Sequence, residues 1–483
     1  MWSASTSNSE ISERKREYFE VRQNSAHVPR PLVLYADFES YLTFSGEHVP
    51  SCFCCLRVSK FPEHDHNIFT YSGDNFLQNF FQHIKQEQDT INNILSTDLP
   101  INTLTDEESR AHDAATACFI CENEFTITNV KTKHHCHITG QYIAPVCNNC
   151  NLQLKHRKSN DKYFIPLFVH NARSYDSHFI IKNFHDPNAK IEVIPTNTEK
   201  FLALQVDSVR FLDSFQFLSS SLENLVSTMA RDGIDKFLHT KRHFGNDPNV
   251  FKKGVYPYEY VTSPEILRET CLPPREAFYS KLNKEGISEK DYDRALQMWQ
   301  RYDCKTMKDN HDLYLSLDVT LLADMFEKFR EMALCEYKLD PAHSWTVPGF
   351  AWNCALKMSK VELELITDPD MFLFFENSIR GGISTVSYQY SKANNKYLPK
   401  YDEDLPSFYL IYYDANNLYG YALSEPLPTG KFRFLDDPEN FDVDAVDCHG
   451  VKGYVLEMDL EYPNHLHDVH NDYPLAAEHL TVT

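Results

Sequence analysis

Two acidic residues that directly follow an apolar run are the first candidates for chemistry. Asp37 and Glu39 come after LVLY, a run typical of a buried strand. Residues two apart on a strand share a face, so both carboxylates point the same way. Carboxylates paired in this manner hold a hard divalent cation such as Mg2+ or Mn2+. Taken alone, a solvated acidic turn at a strand end is the commoner explanation.

A further acid, Asp318, is predicted to lie on a helix. Tyr314 and Asp318 are four residues apart and therefore share a helix face. Two-cation hydrolysis of a phosphodiester needs carboxylates from separate elements and a group that orients the attacking water, a role open to Tyr314. The alternative is an ordinary hydrogen-bonded pair on a helix surface. The helix is indicated by apolar residues at helical spacing: Leu317, Leu321, Leu322, Met325, Phe329 and Met332.

Two further acids follow apolar segments that read as strands. Asn171 ends YFIPLFVHN, and Asp176 follows in the next turn, where Tyr175 could stack on a base and Arg173 could contact a phosphate. An Asx-type turn at a strand end explains the same residues. Asp414 ends FYLIYYD, a predicted strand that delivers one acid to a cleft. That pattern alone is weak.

Four cysteines have the spacing of a structural zinc site. Cys118 and Cys121 form one Cys-x-x-Cys pair, and after 25 residues Cys147 and Cys150 form another. Thiolates from two such turns suit tetrahedral Zn2+. Disulfides are disfavoured, because no secretion signal precedes them and the cysteines number thirteen, an odd count. A reduced, intracellular protein is expected.

Composition limits the possible classes of protein. The 483 residues allow two to four domains, and no apolar run approaches the ~18 residues of a membrane span. The net charge of −22 is unusual for a protein that binds phosphates. One stretch is suited to single-stranded nucleic acid, although taken alone a solvated loop is the commoner explanation. It contains Arg231, Lys236, Phe237, Lys241, Arg242, Phe244, Phe251, Lys252 and Lys253.

Together the acidic motifs resemble those of family B DNA polymerases of the protein-primed type, found in viruses, organelles and Polinton transposons. Asp37 and Glu39 match the first exonuclease motif, Asn171 with Tyr175 and Asp176 the second, and Tyr314 with Asp318 the third. The resemblance implies a 3′ to 5′ exonuclease of the ribonuclease H-like type that uses two Mg2+ or Mn2+ ions. It also implies that Ser221 and Leu222 of SLENL contact single-stranded DNA.

The polymerase palm is represented by its opening motif. DANNLYG resembles motif A, with Asn417 and Gly420 where the family has serine and proline. The match implies that Asp414 binds the catalytic metals and that Tyr419 stacks under the incoming sugar. Gly381 and Gly382 resemble the junction between exonuclease and palm. No match to the later palm motifs follows Asp414, so we expect a truncated polymerase that does not extend DNA alone.

The cysteine segment resembles the zinc-braced nuclease module of recombination endonuclease VII. In that match His135 is the general base and Asn151 a metal ligand, but His134 replaces the family's aspartate. A neutral imidazole in place of a carboxylate weakens Mg2+ binding. DNA binding by the module and its basic tail (Lys155, Arg157, Lys158 and Lys162) and a purely structural zinc site remain open.

The predicted architecture is α/β. A polar leader over residues 1–29 is expected to be mobile, and an exonuclease domain over 30–335 is interrupted by a zinc module at 112–158. A helical connector over 336–400, which includes TVPGFAWNCALKM, leads to a partial palm over 401–483.

Three functions remain open: a polymerase-family exonuclease, a structure-specific endonuclease, and a silent nucleic-acid binder. For the first, the expected partners are single-stranded 3′ ends and primer-template DNA, deoxynucleotides if a full palm exists, and a terminal-protein primer. No membrane partner is expected, and the nucleus is the expected location.

Overall fold

The computed structural model divides the chain into two compact units. One is Val21–Ser359, and the other combines Met1–Glu20 with Lys360–Thr483. We describe each by itself. The structure describes residues 18–19, 29–43, 48–65, 67–73, 75–153, 164–172, 180–181, 189–195, 201–281, 283–379, 384–447, 449–473 and 475. Most of the predicted leader lies outside these residues.

The strands are β1 (Tyr18–Phe19), β2 (Leu32–Leu42), β3 (His48–Ser59), β4 (Asn67–Ser72), β5 (Lys131–His135), β6 (Tyr142–Cys147), β7 (Ile165–Val169), β8 (Ile191–Pro195), β9 (Phe201–Val206), β10 (Val209–Asp213) and β11 (Leu363–Glu364). The helices are α1 (Phe76–Leu95), α2 (Asp106–Ala114), α3 (Asn148–Gln153), α4 (Leu222–Asp232), α5 (Leu238–Phe244), α6 (Glu289–Arg301), α7 (Met307–Tyr337), α8 (Val347–Ser359), α9 (Pro369–Asn377), α10 (Leu418–Ser424) and α11 (Asn464–His467).

A seven-stranded mixed sheet forms the centre of the larger unit. Its order is β4-β3-β2-β7-β10-β9-β8. The central strands β2, β7 and β10 are parallel, whereas β3 and β4 on one side and β9 and β8 on the other are antiparallel to their neighbours. The expected mixed α/β architecture is therefore confirmed.

The two faces of β2 belong to different cores. Val33 and Tyr35 pack in the core that contains most of the apolar residues of α7, while Leu32, Leu34 and Ala36 pack in the core that contains α1. The continuous apolar run of β2 is explained by this double coverage. Because side chains alternate, the next odd-numbered residues of β2 also face α7.

Helix α7 crosses one face of the sheet and begins at a capping box. Thr306 and Asp309 bond each other's backbone N–H groups, which satisfies two free donors of the first turn. The predicted helix around Tyr314 and Asp318 is confirmed. The run TVPGFAWNCALKM also contains a helix as predicted, and α8 lies within the larger unit.

The predicted zinc module is a small insertion between β4 and β7. Helix α2 and the hairpin β5–β6 are followed directly by α3. Its interior consists of Cys118, Val146, Cys147 and Cys150, while Cys136 and Ile138 at the hairpin tip pack against the α1 core.

The smaller unit contains short elements and many exposed apolar side chains. β1 pairs with β11, and α9, α10 and α11 are short helices. The predicted strand FYLIYYD is not formed, because within it only Phe408 makes an isolated bridge, to Asn394. Tyr412 and Tyr413 remain 88% and 87% exposed. No strand among the described residues pairs with this segment to satisfy its backbone groups.

None of the helices in the described ranges combines the length and the apolar character needed to cross a membrane.

Candidate active site

The first acidic pair lies where the alternation of β2 places it. Asp37 and Glu39 extend the Val33 and Tyr35 face and therefore point toward α7. Glu39 is buried and Asp37 is partly buried. The Phe38 N–H donates to Asp37 Oδ1 at 3.0 Å. The pair thus enters the space between sheet and helix.

Asp318 enters the same space from α7. Its side chain is 2% exposed, and the Lys253 ammonium lies 3.1 Å from its Oδ2. Its Oδ1 is buried and has no hydrogen-bond partner in the described part of the chain. A buried carboxylate oxygen without a donor is costly unless a ligand or cation satisfies it.

Asp37 and Asp318 are close enough to affect each other's charge. Burial raises the pKa of Asp37 to about 7, with the Asp318 carboxylate as the next contribution. The Lys253 ammonium and the Phe38 N–H oppose this rise without cancelling it. Asp37 and Asp318 therefore lie in one acidic pocket, whose negative charge Lys253 only partly offsets.

Tyr314 lies near Asp318 on the same helix. It lies one helical turn before Asp318, and its hydroxyl is 2.8 Å from that of Tyr258. The Lys253 ammonium lies 5.8 Å from the centre of its ring. A Cβ on Gly254 would lie 2.6 Å from Tyr314 Cδ2, so this glycine permits the loop to approach the ring.

Lys253 belongs to this site, a role that sequence reasoning missed. It was grouped with a basic and aromatic stretch, but two members of that stretch, Phe237 and Phe251, are buried against each other with ring centres 5.3 Å apart. They cannot stack on bases, because the core has taken up their apolar surface. That interpretation is corrected. No local pattern in the sequence distinguishes Lys253 from its neighbour Lys252.

The second predicted motif is described only in part. Asn171 is exposed, has a left-handed backbone with φ of 63°, and donates its N–H to Asp213 Oδ1 at 2.8 Å. Asp213, at the end of β10, was also missed by sequence reasoning and holds this turn. Tyr175 and Asp176 lie outside the described residues. Nearby, burial and the charge of Lys253 together lower the pKa of His170 to about 4.

The predicted DNA contacts of SLENL are partly corrected. Ser221 is the N-cap of α4, and its hydroxyl accepts from Asn224 N–H at 3.3 Å. Leu222 is 5% exposed and packs in the α7 core. Its side chain supports the helix from within, so it is not available for a contact with DNA.

Comparison with known proteins identifies the family. The profile described as DNA polymerase type B, organellar and viral, matches residues 157–451, more than half of the chain. The chain belongs to this polymerase family. The match includes Tyr314, Asp318 and Asp414.

One relative among curated proteins is "Probable DNA polymerase" of Agaricus bitorquis. It is 24% identical over 280 residues, which cover 57% of this chain and 31% of the relative. The chain therefore spans about a third of the length of the curated relative that it matches. No solved structure matches.

The motif that was predicted to begin a polymerase palm lies in the smaller unit of this type B polymerase chain. Asp414 and Tyr419 are exposed. Asn417 caps α10, with its side chain accepting from Gly420 N–H at 3.1 Å. A Cβ at Gly420 would lie 2.2 Å from Asn417 Nδ2. The capping side chain of Asn417 therefore fits because residue 420 is a glycine. Gly381 and Gly382 lie outside the described residues.

The four predicted zinc ligands converge. The sulfurs of Cys118, Cys121, Cys147 and Cys150 all lie within 4.8 Å of one another. Backbone N–H groups of Cys147 and Ile120 point at the Cys118 sulfur at 3.2 and 3.4 Å. Burial raises the pKa of Cys118, but these and other backbone donors outweigh it and lower it to about 7. Burial raises the pKa of Cys121 and Cys150, so the convergence of four sulfurs, and not a shared preference for thiolate, is what fits Zn2+.

The residues of the second predicted nuclease site lie on the hairpin and on α3. His135 ends β5, and its ring centre is 4.5 Å from that of His137. His137 Nδ1 lies 2.9 Å from Asp98 Oδ1. Asn151 lies on α3, which begins directly after β6. The carboxylate near these imidazoles therefore comes from outside the hairpin.

Proposed function

We propose that the larger unit of this type B polymerase chain is a 3′ to 5′ exonuclease of the ribonuclease H-like type. The observation that carries the proposal is the meeting of β2 and α7. Asp37 and Asp318, far apart in sequence, are coupled in one pocket, and Tyr314 and Lys253 lie beside Asp318. The central parallel strands, which bring the ends of β2 and β7 together, also support this fold type.

The donor set fits two hard cations. Asp37, Glu39 and Asp318 supply carboxylate oxygens from two elements, and one oxygen of Asp318 has no hydrogen-bond partner among the residues that the structure describes. When bound, Mg2+ or Mn2+ would neutralise charge at the scissile phosphate and supply an activated water. Asp176 is proposed as a further acid of this site on the strength of the sequence motif.

The remaining residues have roles that follow from their positions. The Tyr314 hydroxyl, held by Tyr258 at 2.8 Å, is placed to orient an attacking water. Lys253, whose ammonium already lies among the acids, can turn to the phosphate as its negative charge develops. Asn171 and Ser221 are proposed to guide the single strand toward this pocket.

We further propose that Asp414 and Tyr419 begin a polymerase palm and that the four cysteines bind one structural Zn2+. For the endonuclease alternative, the missing acid next to His135 remains the main objection. The hairpin carries His135 and the helix directly after it carries Asn151, so the alternative is included in the test.

The test uses 3′-recessed, single-stranded and branched DNA with Mg2+ or Mn2+. Stepwise shortening from the 3′ end is expected. It should be abolished in a chain carrying both Asp37→Ala and Glu39→Ala, while DNA binding is largely retained. Asp414→Ala is the matched control and should shorten DNA like the wild type. Unchanged digestion by the double variant would refute the assignment, and a discrete cut at a branch would favour the endonuclease.

A further inference from the structure

A β-bulge lies directly beside one of the proposed metal-binding acids. Glu39 pairs with Cys52, but the next residue, Ser40, pairs with Pro50. Ser51 is thus an extra residue on β3 without an opposing partner. Bulges of this kind change the direction of nearby side chains and are common next to active sites.

The bulge is connected to the backbone of Glu39 by a hydroxyl group. Ser51 Oγ donates to the Glu39 carbonyl at 3.1 Å, and it also lies 3.3 Å from His311 Nε2. A serine hydroxyl has one hydrogen, so its bond to His311 requires Nε2–H as the donor. Cys52 Sγ lies 2.8 Å from the same nitrogen. A chain of hydrogen bonds therefore runs from His311 to Glu39.

His311 lies on the helix that carries the opposing acid. It is 1% exposed and precedes Tyr314 and Asp318 on the same side of α7. The polar contact between helix and sheet continues one turn later, where Ser316 Oγ lies 3.0 Å from Thr70 Oγ1. Directional bonds fix the position of a helix along a sheet, whereas a purely apolar surface can shift.

We propose that His311 and Ser51 are positioning residues that set the separation of Glu39 from Asp318 and thereby the affinity of the site for divalent cations. The inference rests on the proposed two-ion site. Alternation along β2 directs Glu39 toward α7, and the Ser51 hydroxyl and His311 connect the Glu39 backbone to that helix. Partners of this kind around metal ligands typically control affinity by ~10–100-fold.

A second buried histidine, His83, provides a control for the effect of imidazole packing alone. His83 is 5% exposed on α1, at the opposite face of the sheet, and its ring stacks on Phe69 with centres 4.3 Å apart. Its Nε2 has no hydrogen-bond partner among the described residues. His83 is therefore a matched control for loss of buried imidazole packing.

Binding of Mn2+ to the full chain, followed through the EPR signal of free Mn2+, tests the proposal without requiring catalysis. His311→Leu should weaken Mn2+ binding roughly tenfold. His311→Gln should recover most of the affinity, because its amide can donate to Ser51. Ser51→Ala removes a single oxygen and should weaken binding in the same direction while leaving folding intact. His83→Leu should bind Mn2+ like the wild type.

Wild-type affinity in both Ser51→Ala and His311→Leu would overturn the proposal, as would an equal loss in His83→Leu. Mn2+ binding without DNA shortening by the wild type would refute the exonuclease and leave the positioning role intact. A wild-type chain that binds no Mn2+ would overturn both.

Discussion

At the scale of single residues, the charge of the acidic pocket separates a metal site from an ordinary ion pair. Three carboxylates, those of Asp37, Glu39 and Asp318, share the pocket with the ammonium of Lys253. One lysine cannot neutralise three acids. Burial raises the pKa of Asp37 to about 7, and the Asp318 carboxylate contributes to the rise despite the opposing charge of Lys253. A pair that served stability alone would be balanced.

Lys253→Met tests whether the Lys253 ammonium provides part of the positive charge that bound cations would otherwise supply to the acidic pocket. In metal-free buffer the variant should lose about 2 kcal/mol of unfolding free energy, less than for a fully enclosed pair because the Lys253 side chain is 30% exposed. Addition of Mn2+ should reduce the difference, since a cation neutralises the same acids. Urea unfolding with EDTA and with Mn2+ measures both values.

Lys252→Met is the control, because Lys252 is exposed and should change stability little. An equal loss in Lys253→Met with and without Mn2+ would mean that the lysine acts only as a structural partner.

The acidic residues of the candidate site could be predicted from the sequence, whereas the burial and the contacts of other residues could not. Asp37, Glu39, Tyr314 and Asp318 could be found because their spacing places them on shared faces. Lys253 could not, because its role depends on a loop that meets α7 only in the folded chain. Leu222, Phe237 and Phe251 were assigned to DNA because short motifs do not reveal burial.

At the scale of elements, α7 is fixed at both ends of its contact with β2. Near its C-terminal end, Arg330 Nη2 donates to Asp340 Oδ2 at 2.6 Å and to the Arg30 carbonyl at 2.9 Å. The Arg30 N–H donates to Asp340 at 2.7 Å. This buried group holds the start of β2 to the helix, at the far end from the acidic pocket.

Asp340→Asn should lower the free energy of unfolding by about 3–5 kcal/mol, because it leaves the Arg330 charge buried without its partner. Although burial opposes it, the Arg330 guanidinium holds the pKa of Asp340 well below its usual range. The stability that this carboxylate contributes is therefore present above about pH 4 and is lost as the pH falls below it.

Chemical denaturation from pH 7 to pH 3 provides the measurement. Glu331→Gln, which removes the exposed Lys328 pair, is the control and should cost less than about 1 kcal/mol. A similar loss in both variants would contradict the anchoring role.

The cysteine cluster predicts a Zn2+ site that is separate from the proposed Mg2+ or Mn2+ site and differs from it in its ligands. Metal analysis of the purified chain should find about one zinc, and Cys118→Ser or Cys150→Ser should remove it. Cys271→Ser changes an exposed cysteine and should retain the zinc. Zinc that persists in both cluster variants would contradict the assignment.

A helix or strand could be predicted where a single segment of the sequence contains the whole pattern that specifies it. The capped helix α7 and the buried strand β7 have continuous signals. The predicted strand before Asp414 has the same apolar character, but a strand also requires a neighbour, and local sequence does not say whether one is present.

At the scale of the whole molecule, the larger unit joins residues that are remote in sequence. The sheet order brings β2 beside β7, across the cysteine insertion, and α7 then returns over both. The mixed α/β class could be predicted from the chain, but the strand order and the two-unit division depend on long-range contacts that motif spacing does not specify.

The central claim is that these remote acids form one site for two cations. Anomalous diffraction from crystals of the chain soaked in Mn2+ tests it most directly. We expect two peaks ~3.5–4 Å apart, bounded by Asp37, Glu39 and Asp318, with the Lys253 ammonium moved away from Asp318. Crystals without Mn2+ at these acids, with Lys253 still paired to Asp318, would contradict the account.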